Sequence, residues 1–134
     1  MLLRQNCRDD AIQHRDVAEY KRWLIRKAGG VVEEDMVADW LGMSLLELRR
    51  YTEGGELIAV DMDGRTVYPA FQLKNPKTVL DVREILSVMP IKAPWMRLEW
   101  FLTPDGVLDG DTPWEALRAG RREVVLDCAR SHGA

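Results

Sequence analysis

Two closely spaced carboxylate pairs stand out among the residues able to do chemistry: Asp9-Asp10, and Asp109 with Asp111. Paired carboxylates can serve acid–base catalysis. Each pair also has a structural use. Asp9-Asp10 fits the start of a helix, where carboxylates meet the positive end of the dipole. Asp109 and Asp111 fit a turn that precedes a helix. Cys7 and Cys128 lie near opposite ends of the chain, as do His14 and His132. None of the four falls in a metal-ligand or redox spacing. No His or Cys stands beside a base or a nucleophile in sequence. Gly29-Gly30 and Gly54-Gly55 read as helix stops, not as phosphate-cradling loops. The expectation is a protein with no catalytic residue, no metal and no cofactor; an enzyme would need folding to bring these scattered groups together.

The 134 residues suit one compact domain or two very small ones. With 46% apolar and 31% charged residues, the chain is too hydrophobic for intrinsic disorder. No stretch approaches the ~18 uninterrupted apolar residues of a membrane helix. Residues 1–6 lack the apolar core of a signal peptide, so a cytoplasmic location with no membrane contact is expected. The net charge of −3 is uneven. Residues 1–30 carry seven Lys/Arg and four acids, residues 31–72 three Arg and nine acids, and residues 73–134 nine of each. An acidic middle argues against strong general affinity for nucleic acid.

The elements that must position these residues are mostly helical. Residues 9–28 read as an amphipathic helix with Ile12, Val17, Tyr20, Trp23 and Leu24 on one side. Residues 33–41 read as a second, with Met36, Val37, Trp40 and Leu41 inward. Gly42 permits a tight turn, and Ser44 with Glu47 forms a capping box for a third helix that runs to about residue 53. Two β-prone runs, residues 57–61 and 65–68, flank Asp63-Gly64, a hairpin signal. Pro69 ends the second run and Phe71 packs the connection onto the core. Residues 74–77 form a turn-rich linker, the best internal boundary. Beyond it, helices are expected over residues 78–89, from Pro94 to about residue 102, from Pro113 to Ala119 behind a Thr112 cap, and over residues 121–130. Trp23, Trp40, Met96, Trp100, Phe101 and Leu102 are assigned to apolar faces. Trp95 and Trp114 are read as partly exposed and as candidates for a homodimer or partner contact.

Helix, glycine turn, helix, hairpin is the order of a winged helix-turn-helix. The run from Val37 to Ser44, followed by Tyr51, residues 55–60 and Gly64, resembles the excisionase/MerR-type winged helix domain over about 40 residues. That resemblance implies a second helix in the major groove and a hairpin against the backbone. The contacts it leaves here are Arg49, Arg50 and Arg65. Leu45 and Leu46 occupy early recognition-helix positions, where leucine can touch a thymine methyl but cannot hydrogen-bond a base edge.

A second resemblance covers residues 79–132. Trp100 to Pro104, Leu108-Asp109-Gly110, Thr112-Pro113 with Leu117, then Gly120 and Val124-Val125 form an ordered pattern. It is similar to the toxin-binding domain of Xre/MbcA/ParS-like antitoxins. Read from the residues alone, the pattern is structural: Leu108 plugs a core, Gly110 takes a positive φ, Pro113 fixes a helix start and Gly120 lets two helices meet at an angle. The resemblance implies a partner toxin of the RES type, which degrades NAD, blocked by the antitoxin's C-terminal region. Carried over, the toxin-binding residues are Arg121, Arg122, Arg130, Ser131 and His132, since arginine suits a pocket built for anionic phosphates.

The sequence therefore predicts a mainly α fold: a winged helix-turn-helix with a small β-hairpin, followed by a small helical bundle. Residues 1–30 form an N-terminal helix, 31–73 the winged helix-turn-helix segment and 78–134 the toxin-binding domain. The expected function is an antitoxin-like, homodimeric regulator of a cognate toxin, with operator DNA as a second partner. The alternative is a stand-alone DNA-binding transcriptional regulator.

Overall fold

The structure is a computed structural model that describes residues 17–131. Helix α1 covers residues 17–27, and its chain exits through Gly29 and Gly30, both at positive φ. Next comes an element the sequence reading did not contain. Residues Val31–Glu33 form strand β1 and lie antiparallel to a later strand, so that Val32 faces Tyr68. The second helix thus starts one residue later than expected, at Glu34. Two β-branched valines before a helix start are too short a run to announce a strand, and only the pairing partner makes one.

Helix α2 (Glu34–Leu41) ends at Gly42, in the left-handed region at φ 66°. Helix α3 (Leu45–Glu53) opens with the expected capping box: Ser44 Oγ accepts from Glu47 N–H, and Glu47 Oε1 accepts from Ser44 N–H. Strands β2 (Val60–Met62) and β3 (Arg65–Pro69) are joined by Asp63-Gly64. Both turn residues have positive φ, 53° and 81°, which is the type I′ geometry that matches strand twist. The sheet is three-stranded and antiparallel in the order β1-β3-β2. Val37, Ala38, Leu48, Leu57 and Tyr68 form a small core beneath it.

A 3₁₀ turn (Ala70–Leu73) leads to α4 (Pro76–Val88), whose first turn is capped by Asn75 Oδ1 accepting from Thr78 N–H at 2.9 Å. Helix α5 is Pro94–Leu102. A 3₁₀ turn at Gly106–Leu108 precedes α6 (Pro113–Arg118), which has a Thr112–Glu115 capping box, and then α7 (Arg122–Ser131). The second, larger core runs through both halves: Leu24 and Ile25 of α1, Ile58, Val60, Val67 and Phe71 of the front, and α4 to α7 behind. Apolar contact therefore crosses the 74–77 turn, whose residues also serve as the α4 cap. Among the described residues no helix is long and apolar enough to cross a membrane.

Several side chains depart from the expected packing. Trp40 is 57% exposed and Trp23 40%, and Met36 and Met96 are also exposed. Helix α2 has only eight residues, and Val37 and Ala38 already fill its buried stripe, so Met36 and Trp40 fall on the outer face. In α5 the buried stripe is Arg97, Leu98, Phe101 and Leu102 with Trp100, which turns Met96 outward. Trp95 and Trp114 pack partly buried against the larger core.

Candidate functional site

The first candidate face is α3 with the hairpin. Its outward positions are Leu45, Leu46, Glu47, Arg49, Arg50 and Glu53, and Leu46 is 60% exposed. The three expected DNA contacts do not form one cationic patch. Arg49 Nε and Nη2 donate to the Glu34 carboxylate at 3.2 and 3.3 Å, which raises the arginine's already high pKa. Arg65 Nη1 donates to Glu33 Oε1 at 2.5 Å. Arg50 is exposed and enters no ion pair among the described residues. An open groove of about 380 Å³ between the start of α2, the start of α3 and the hairpin turn is lined by Glu33, Glu34, Asp35, Leu45 and Arg65. An anion approaching Arg49 or Arg65 meets a carboxylate already in place, which offsets part of the cation's charge.

The second candidate face is α7. Arg121 reaches back to the preceding turn, 3.7 Å from Asp109 Oδ2 and 3.5 Å from Asp111 Oδ2. Arg122 Nε donates to Asp81 Oδ1 of α4 at 3.1 Å, and its other nitrogens meet Glu84 and Glu123. These two arginines therefore fix α7 against the turn and α4. Arg130 is exposed and holds only Asp127, one helical turn back, at 2.8 Å. Ser131 Oγ donates to the carbonyls of Asp127 and Cys128. His132 lies outside the described residues, as do Cys7, Asp9, Asp10 and His14.

The Asp109–Asp111 pair thus serves Arg121. Asp109 sits at φ 59° as the cap of the 3₁₀ turn. Cys128 is buried, and burial pushes its thiol pKa up, away from the reactive thiolate. Among the described residues no group of three or more His, Cys, Asp or Glu is placed to hold a metal ion.

Sequence reading missed the joint between the halves. A groove of about 1030 Å³ runs between residues 52–56 and α4, with Arg97 at its base. Arg97 is buried without a carboxylate partner. Its Nε donates to Ile91 O at 2.7 Å, Nη1 to Gly55 O at 3.2 Å and Nη2 to Leu86 O at 3.3 Å. Burial lowers its pKa. Across the groove Arg83 Nε meets Glu56 Oε1 at 2.6 Å and stacks over Tyr51. Gly55 has φ 80°, and a Cβ there would stand 3.4 Å from Arg97 Nη1. The only sequence signal was a single charge, Arg97, inside an otherwise apolar stripe of α5.

Large apolar side chains are also exposed on two other helices, Tyr20 and Trp23 on α1 and Met36 and Trp40 on α2. Compared with known proteins, the chain matches no family model, no curated protein and no solved structure.

Proposed function

We propose that the protein is an antitoxin-like regulator, acting in the cytoplasm, whose rear helices dock on and neutralise a RES-type toxin. The observation that supports this reading is the structural use of most of the rear pattern, with Val125 buried and Val124 left exposed beside it. Trp100 and Leu108 are buried, Gly110 and Gly120 stand at φ 85° and 84°, and Thr112-Pro113 caps and opens α6. A pattern spent on shape implies that function lies in the face the shape presents. Arg121 and Arg122 then hold α7 in register, and the toxin contact centres on its exposed end at Arg130 and Ser131, with His132 the next residue in sequence. The test is co-expression with a RES-type toxin, followed by pull-down and an NAD-consumption assay. Formation of a complex that stops NAD loss, weakened by Arg130→Glu, supports the reading. A soluble toxin that neither binds nor slows removes it.

A second role rests on the front half. The order α1, β1, α2, α3, β2, β3 with sheet order β1-β3-β2 supports a winged helix-turn-helix. On this reading Arg50 contacts operator DNA, and Arg49 and Arg65 join after exchanging Glu34 and Glu33 for phosphates. A gel shift on the gene's own upstream DNA, with a salt series, tests it; no sequence-specific shift at low salt would remove the role. A stand-alone regulator would give the shift without any toxin complex.

A further inference from the structure

We infer that the outer face of α2 is the seat for α1 of a second copy of this chain. Each face exposes large apolar groups of the kinds that concentrate at interface centres. On α2, Met36 and Trp40 are one helical turn apart and both exposed. On α1, Tyr20 and Trp23 stack with ring centroids 5.6 Å apart, and the exposed Met96 of α5 lines the same shallow groove as Tyr20.

Glu99 stands at the Tyr20 hydroxyl, but the charges that flank the two tryptophans are opposite. Asp35 and Asp39 flank Met36 and Trp40 on the outer side of α2. Arg26 and Lys27 lie three and four residues beyond Trp23, and Lys27 Nζ stands 4.9 Å over its ring. All four are exposed, and none enters an ion pair among the described residues. A nucleic acid would be attracted to the α1 face and repelled by the α2 face. A second copy covers both, with apolar groups against apolar groups and two cations against two carboxylates. Made twice about a two-fold axis, this contact closes as a dimer, whereas made once per pair it would run on into open chains.

Sedimentation of the full chain over about 1–100 μM should show concentration-dependent dimers that weaken with salt. Asp35→Lys with Asp39→Lys, or Arg26→Glu with Lys27→Glu, should each weaken association about tenfold or more. The chain carrying all four reversals should regain it, because both faces change sign together. Trp40→Ser should also weaken association, with the melting temperature confirming that every variant folds. A wild type that stays monomeric throughout overturns the inference. So does a four-fold variant that fails to re-associate, or a Trp40→Ser chain that dimerises as well as wild type. Loss of toxin capture by Trp40→Ser in a chain that is always monomeric would assign the face to the toxin and equally overturn it.

Discussion

Removal of Arg122 tests whether this arginine, expected from the sequence to bind a toxin, instead holds α7 against α4. Its guanidinium meets three carboxylates: Asp81, Glu84 and Glu123. The side chains of Glu84 and Glu123 are 49% and 80% exposed, so those pairs contribute little each. Asp81 is different. Its side chain is only 12% exposed, and its other cation is Lys77, which donates from one turn away at 2.9 Å. In Arg122→Ala, Asp81 keeps Lys77 but loses the bond that ties α4 to α7. Leaving a largely buried carboxylate half-satisfied costs about 1–2 kcal/mol. For a chain of this size that lowers the melting temperature by roughly 3–8 °C. The assay is urea and thermal unfolding followed by circular dichroism. A double variant with Asp81→Asn should cost less than the two single changes added together. Toxin affinity, measured well below the melting point, should be nearly unchanged. An Arg122→Ala chain as stable as wild type but weakened in toxin binding would refute the reasoning and return Arg122 to the contact surface.

Gln72 is fully buried; its Oε1 accepts from Ile58 N–H at 2.8 Å, and its Nε2 donates to Ile58 O and Pro69 O. Gln72→Leu strands three backbone groups and should cost about 2–4 kcal/mol in urea unfolding. Tyr20 keeps 41% of its surface exposed, but its OH donates to Glu99 Oε2 at 2.6 Å within the groove that both line, and desolvation there followed by that bond pushes its pKa up from 10.0 to about 12. The folded chain holds this proton longer than the unfolded one, so the contribution is present in full below pH 10 and is lost as pH rises towards 12. Burial raises the pKa of Tyr68 as well, so ultraviolet titration should show late tyrosinate transitions for both residues, of which Tyr20→Phe removes one and leaves the other.

The parts of the fold legible in the sequence were those set by short-range chemistry. Ser44 and Glu47, Asp63-Gly64, Thr112-Pro113 and the positive-φ glycines each act within a few residues, and each does what its local pattern dictates. What escaped depends on distant partners. Val31–Glu33 becomes a strand only because β3 lies beside it. Arg97 is buried only because the carbonyls of Gly55, Leu86 and Ile91 converge on it. Periodicity placed Met36 and Trp40 on an apolar stripe but could not say how narrow the covered part of so short a helix is. The arginines of α7 were visible as cations, and their carboxylate partners on α4 and in the 109–111 turn were not. The candidate site was therefore legible as a segment and not as a set of free side chains.

The docking role proposed for the rear helices can be read out by titrating the purified full chain into a RES-type toxin while following NAD consumption. Stoichiometric arrest of NAD loss is expected, retained in Arg122→Ala at low temperature and weakened in Arg130→Glu. Undiminished NAD consumption at saturating protein, with the toxin and the chain migrating separately, would contradict it.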